Sequence, residues 1–155
     1  MMLKKIIVYV HRKHFGHVFD LISGDQFLQT VDHPEHKNVL MIIHIWEQTN
    51  EACKAVDGCL QIIAKDYSHV KFCRIQASAA GLSRHFKISG IPALLVYRSG
   101  ELVSSFVRLS DTLGEDFYAS DLESFLIENG VLSDAKLMPS IIRSNQRDSE
   151  EDSDS

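Results

Sequence analysis

The sequence predicts an α/β domain of three layers, a central mixed sheet flanked by helices. Three observations carry that prediction. Apolar, β-branched runs alternate with helical-period segments, the pattern of parallel strands joined by crossover helices. Val39 to Trp46 is apolar on both faces apart from His44, as a strand in the middle of a sheet must be. Ser99-Gly100 then separates two β-prone runs by a two-residue turn, which adds an antiparallel hairpin.

The elements follow in order. Phe15 to Asp20 alternates loosely and reads as a short edge strand. Ser23-Gly24-Asp25-Gln26 fits a capping box, and Phe27, Leu28 and Val31 continue it at helical spacing to about Asp32, where Pro34 closes the helix. After the Val39–Trp46 strand, Thr49 or Asn50 can cap a long helix whose inward stripe is Cys53, Val56, Leu60, Ile63 and Ala64. Val70 to Ile75 is the next strand, and Leu82 to Phe86 a brief helix. Ala93 to Tyr97 and Glu101 to Val107 form the hairpin. Ser120-Asp121-Leu122-Glu123 reads as a second capping box, with Leu122, Phe125 and Leu126 as a buried face and Asn129-Gly130 as a left-handed stop.

Composition narrows the function classes. The chain has 155 residues, 45% hydrophobic and 24% charged, which fits one globular domain. Its net charge is -5, and Asp148, Glu150, Glu151, Asp152 and Asp154 crowd the end while the rest balances, which argues against nucleic acid as the main partner. Cys53, Cys59 and Cys73 are too few, and odd in number, for a disulfide scaffold. No stretch approaches the ~20 apolar residues of a membrane span. The run Ile6 to Val10 behind Lys4-Lys5 falls short of the ~7–15 residues of a signal peptide core, and no small-residue cleavage site follows. A cytoplasmic monomer without a cofactor is the expectation. The expected organisation is a lead at 1–14, a folded domain at 15–132 and an acidic, Ser-rich, disordered tail at 133–155.

Two segments go beyond a generic fold class. Trp46-Glu47-Gln48-Thr49-Asn50-Glu51-Ala52-Cys53-Lys54 lies where a central strand runs into the long helix. About forty residues on come Ile88-Ser89-Gly90-Ile91-Pro92-Ala93-Leu94-Leu95-Val96-Tyr97 and Gly100-Glu101. Together they resemble the thioredoxin fold, which places a dithiol at the first position and a cis-proline at the second. By resemblance Pro92 is a structural cis-proline. Redox chemistry there needs a thiolate activated at the helix start and a second cysteine three residues on. Here Asn50 stands at the outer position and Cys53 remains at the inner one, so the redox site is degenerate; His44 also replaces the buried acid of redox members.

Val70-Lys71-Phe72-Cys73-Arg74-Ile75, Gly100 to Arg108, Leu113 to Leu126 and the opening Phe15 to Leu21 resemble the phosducin-like proteins over roughly Phe15 to Leu132. The insertion Leu109 to Ala119 is not a thioredoxin feature and discriminates most. The resemblance implies a non-catalytic adaptor that binds the G-protein βγ dimer, or serves as co-chaperone of the cytosolic chaperonin in βγ assembly, regulating G-protein signalling. That family normally has a long helical N-terminal region supplying much of the βγ contact; here Met1 to His14 precede the domain and do not resemble it. The competing reading is a thiol oxidoreductase or redox sensor using Cys53 or Cys73. Among the remaining features, His11, His14, His17, His33 and His36 read as solvated histidines rather than metal ligands. His44 reads as a hydrogen-bonded core residue, and Lys71, Arg74, Arg98 and Arg108 as edge charges. Ser149 and Ser153 lie among acids, a context for acidophilic phosphorylation that would add negative charge and tune docking.

Overall fold

The computed structural model describes residues 14–114 and 116–133. The chain divides into two compact units, residues 1–122 and 123–155.

The first unit contains a five-stranded sheet. In chain order it runs β1 (Val18–Leu21), α1 (Gly24–Asp32), a 3-10 turn (Pro34–His36), β2 (Leu40–Trp46), α2 (Glu51–Asp66), β3 (Lys71–Gln76), α3 (Arg84–Ser89), β4 (Ala93–Arg98), β5 (Glu101–Phe106) and α4 (Leu109–Leu113). The spatial order is β1-β3-β2-β4-β5. β3 pairs in parallel with both β1 and β2, whereas β4 is antiparallel to β2 and β5. The sheet is therefore mixed and carries helices, as the alternating pattern predicts.

β2 is central because, His44 apart, its middle is apolar on both faces. Met41, Ile42, Ile43 and Ile45 are almost wholly buried, and one face joins Leu21, Val31, Cys73, Ile75, Ile91 and Ala93 in a single apolar cluster. α2 buries the expected stripe, and Cys59 with it. α1 starts at Ser23, whose Oγ accepts from Gln26 N–H at 3.1 Å, while Gln26 turns back to accept from Ile22 N–H at 2.7 Å. His33 is extended because it precedes a proline, so the helix stops there and Pro34 opens the 3-10 turn. At the hairpin tip Ser99 and Gly100 both have positive φ, 54° and 81°, the geometry that matches strand twist.

Four expectations need correction. β1 begins at Val18 rather than Phe15, since Gly16 at φ 77° turns the chain before it. α3 is shifted to Arg84–Ser89 because Ser83 Oγ accepts from Phe86 N–H and sets its start. α4 was not expected: within the insertion Leu109 is buried, and its N–H donates to the Pro92 carbonyl at 2.9 Å. The last helix, α5 (Ala119–Glu128), starts before Ser120, which becomes interior. Its first turn is closed by the Asp121 carboxylate, accepting from Tyr118 N–H at 2.9 Å. A charged acceptor at the positive end of a helix outcompetes a hydroxyl.

The second unit carries the end of α5, which crosses from the first. Within it Leu126 is buried, Asn129 Nδ2 donates to the Phe125 carbonyl at 2.8 Å, and Gly130 at φ 76° makes the left-handed stop.

Two glycines give opposite predictions. Gly58 sits on the exposed side of α2 with open space around it, so Gly58→Ala raises stability by about 0.5–1 kcal/mol. Gly100 has φ 81°, and a Cβ there lies 3.0 Å from Asp32 Oδ1, so Gly100→Ala lowers stability by about 1–2 kcal/mol. Urea denaturation of the two variants reads both signs.

Candidate functional site

The site begins where β2 ends. Asn50 has extended backbone and caps α2: its Oδ1 accepts from Cys53 N–H at 3.3 Å. Its Nδ2 donates to the Ile91 carbonyl at 3.4 Å. One carboxamide thus satisfies an orphan donor of the first helical turn and ties the helix start to the loop before Pro92. The Ile91–Pro92 peptide bond is cis, and Pro92 is buried. Glu47, just past β2, fixes the neighbouring strand end by accepting from Gln76 Nε2 at 3.0 Å and Ser78 N–H at 2.7 Å. Desolvation opposes charge on Glu47, but these hydrogen bonds outweigh it and hold its carboxyl below the usual range.

Cys53 is 2% exposed. Burial pushes its thiol up to about 11, so roughly one molecule in 10,000 carries the thiolate at neutral pH. Burial also pushes Cys73 up to about 12 and raises Cys59. All three cysteines of the chain are free and buried. Cys59 Sγ donates weakly to the Phe117 carbonyl at 3.7 Å. An amide at the outer position cannot attack a disulfide, and the inner thiol is protonated and enclosed. The arrangement orders two segments; it does not hold a nucleophile.

A polar chain runs from the buried His44 out to the exposed Asp20. His44, fully buried on β2, places Nδ1 2.9 Å from Asp57 Oδ1 on α2. Arg74 on β3 grips the same carboxylate twice, Nε to Oδ1 at 3.2 Å and Nη2 to Oδ2 at 2.9 Å. Its Nη1 reaches Asp20 Oδ1 on β1 at 2.8 Å, and its guanidinium lies 4.1 Å from the Trp46 ring centroid. Burial works to raise the Asp57 pKa, but His44 and Arg74 outweigh it and the carboxyl stays ionised below its ordinary range. An ionised carboxylate only accepts, so His44 donates through Nδ1–H and its Nε2 is unprotonated. Desolvation pushes the His44 pKa down despite Asp57. Nε2 of His44 and Nε1 of Trp46 are buried without hydrogen-bond partners.

The structure therefore brings Asn50, Cys53 and Pro92 together, and adds Asp57 and Asp20, which sequence reasoning missed. The signal for Asp57 was its place four residues after Cys53, one turn along the inward stripe. Arg74 is not an ordinary solvated charge, because the strand register sets it between Asp20 and His44. Arg98 donates to the Asn38 carbonyl at 3.0 Å, and Arg108 pairs with Asp111 at 2.9 Å. The histidines take local partners: His14 meets Ser68 Oγ, His17 the Phe15 carbonyl, His33 accepts from Glu35 N–H, and His36 meets the Thr30 carbonyl. His11, Ser149 and Ser153 lie outside the described residues.

Comparison with known proteins adds the following. A family model described as Phosducin matches residues 4–154, a wider span than 15–132 and one that includes most of the lead set outside the resemblance. The phosducin-like protein of Mus musculus is 43% identical over 141 residues, covering 90% of this chain and 46% of that protein. Phosducin of Bos taurus is 40% identical over 123 residues, covering 79% and 50%. The chain thus spans about half the length of the curated relatives it matches. Among solved structures, thioredoxin NaTrxh from Nicotiana alata superposes with a TM-score of 0.56 at 15% identity, covering 75% of this chain and 95% of that one. Thioredoxin from Trypanosoma brucei brucei gives 0.52 at 18%, covering 74% and 96%. At such identities these structures establish the fold alone, which is thioredoxin-like.

Two outcomes test the site. A folded His44 with a lowered pKa takes up its proton only below the unfolded value of about 6.5, so its stabilisation is present above that pH and is lost as pH falls through the folded pKa. Urea midpoints of the wild type therefore fall from about pH 6.5 to 5 more steeply than those of His44→Asn, whose amide still donates to Asp57; equal slopes contradict the assignment. In the native protein Ellman's reagent labels no thiol within minutes, and in denaturant it labels all three. Fast labelling of Cys53 without unfolding contradicts the enclosed site.

Proposed function

This chain belongs to the phosducin family, and from that premise we propose that it works by holding other proteins, not by thiol chemistry. A phosducin-like regulatory function follows from membership, and the family's members are non-enzymatic regulators. The finer reading is a cytoplasmic adaptor that binds the G-protein βγ dimer, or assists the cytosolic chaperonin while that dimer assembles. The observation that carries the non-catalytic part is Asn50, whose side chain is spent on Cys53 N–H and the Ile91 carbonyl where a redox member needs a thiolate. In this reading the sheet edge, the insertion Leu109 to Ala119 and the acidic tail make the contacts. No helix of the described residues is long and apolar enough to cross a membrane.

The thiol-redox alternative gains no support, because burial raises the pKa of each cysteine. Phosphorylation of Ser149 and Ser153 in the acidic tail would add about -1.5 to -2 charge each and adjust docking to a basic partner surface.

Affinity capture with the full chain from cytosol, followed by titration with purified βγ dimer, tests the reading. Recovery of a G-protein β subunit or of chaperonin subunits is the expected result. Recovery of neither, together with no saturable response to the dimer, contradicts it.

A further inference from the structure

A cleft of about 260 Å³ opens between α3 and the stretch that follows β5, lined by His85, Phe86, Ser89, Gly90, Val107 and Arg108. Neither the Asn50 tether nor the polar chain of His44 uses it. Backbone bonds fix its walls. Arg108 N–H donates to the Gly90 carbonyl at 2.9 Å, and Leu109 N–H to the Pro92 carbonyl at 2.9 Å. A Cβ on Gly90 would fall 2.5 Å from Phe86 Cδ1, so the ring packs directly on the glycine backbone and gives the cleft an apolar floor. Val107 on the wall is 54% exposed. His85 Nε2 lies 3.3 Å from Ser89 Oγ, whose hydroxyl donates to the His85 carbonyl at 2.8 Å.

Arg108 is the unusual member. It holds φ 50° and ψ 56°, the left-handed region where a side chain is strained and glycine is not. Its Nε meets Asp111 Oδ2 at 2.9 Å, but both side chains are more than half exposed, and an ion pair in water adds too little to account for a strained arginine. Strained residues gather at binding sites. The charge around the cleft has one sign: no carboxylate lines it, α3 carries Arg84, His85 and Lys87 without an acid, and residues 77–100 contain none.

We propose that this cleft binds an extended acidic segment of another protein, with one apolar side chain seated on Phe86 and Val107 and a flanking carboxylate on Arg108. Size and shape select the occupant. Small-molecule and cofactor sites run to roughly 300–1,000 Å³ and enclose their ligand, whereas this space is shallower and smaller and suits a single side chain. A phosphate group would use the cation and leave the apolar floor unfilled. The remaining donors of the Arg108 fork are free to take a carboxylate beside Asp111. The inference goes beyond the adaptor reading, and neither the βγ dimer nor the chaperonin enters its test.

Fluorescence anisotropy of the full chain with a fluorescein-labelled heptapeptide, leucine at its centre and glutamate elsewhere, tests it. Binding saturates and is weakened by high salt. Serine in place of the central leucine weakens it about tenfold, and lysine in place of the glutamates abolishes it. Arg108→Gly weakens binding about fivefold yet raises the urea midpoint, because it removes the cation and the backbone strain together. Val107→Ser also weakens binding about fivefold and leaves the urea midpoint unchanged, since that side chain is half in water already. Four results overturn the proposal: no saturable binding, equal affinity for the serine-centred or the lysine peptide, affinity unchanged in both Arg108→Gly and Val107→Ser, or a uridine oligonucleotide that binds more tightly than the peptide.

Discussion

One side chain joins the two halves of this site. Asn50 uses its carboxamide oxygen to cap α2 and its nitrogen to hold the Ile91 carbonyl ahead of Pro92. A thiolate at that position would have to stay exposed and uncommitted in order to react. An amide does the reverse, since both of its polar ends are satisfied by the backbone it fastens. The helix N-terminus that would lower a thiol's pKa here serves as a partner for the cap. Cys53, one turn in, then behaves as a small apolar residue in the sheet–helix interface.

The same exchange of chemistry for structure appears one layer down. His44, Asp57, Arg74 and Asp20 come from β2, α2, β3 and β1, so one polar chain links three adjacent strands to the helix that Asn50 caps. Of the four only His44 is fully buried, Asp57 and Arg74 are partly exposed and Asp20 mostly so, so removing Asp57 leaves the enclosed imidazole unmatched while the outer charges can turn to water. Such a cluster therefore specifies which strand neighbours which more than it strengthens the fold. Its titration is one-sided, because acid protonates an imidazole whose free nitrogen has no acceptor.

The strands and long helix were legible because each has its own period: β2 is apolar on both faces, and the stripe from Cys53 to Ala64 recurs at helical spacing. The meeting of Asn50 and Cys53 with the Ile91-Pro92 segment was legible too, because the two sit at the dithiol spacing of the resembled fold before that distant segment. What escaped depends on contacts rather than pattern. α4 is five residues long, too short to show a period, and it is held by the buried Leu109 and the Pro92 carbonyl. The start of α5 turned on a competition between the hydroxyl of Ser120 and the carboxylate of its neighbour Asp121. His44 announced an unmet polar group in an apolar strand, but its partner Asp57 and the place of Arg74 follow only once β3 is known to lie between β1 and β2.

The central claim is that the position of the attacking sulfur has become a structural tether. Insulin reduction driven by dithiothreitol measures it most directly, with a thioredoxin run alongside. This chain is expected to leave insulin precipitation at the rate set by dithiothreitol alone. Acceleration comparable to the thioredoxin, abolished by Cys53→Ser, would contradict the account.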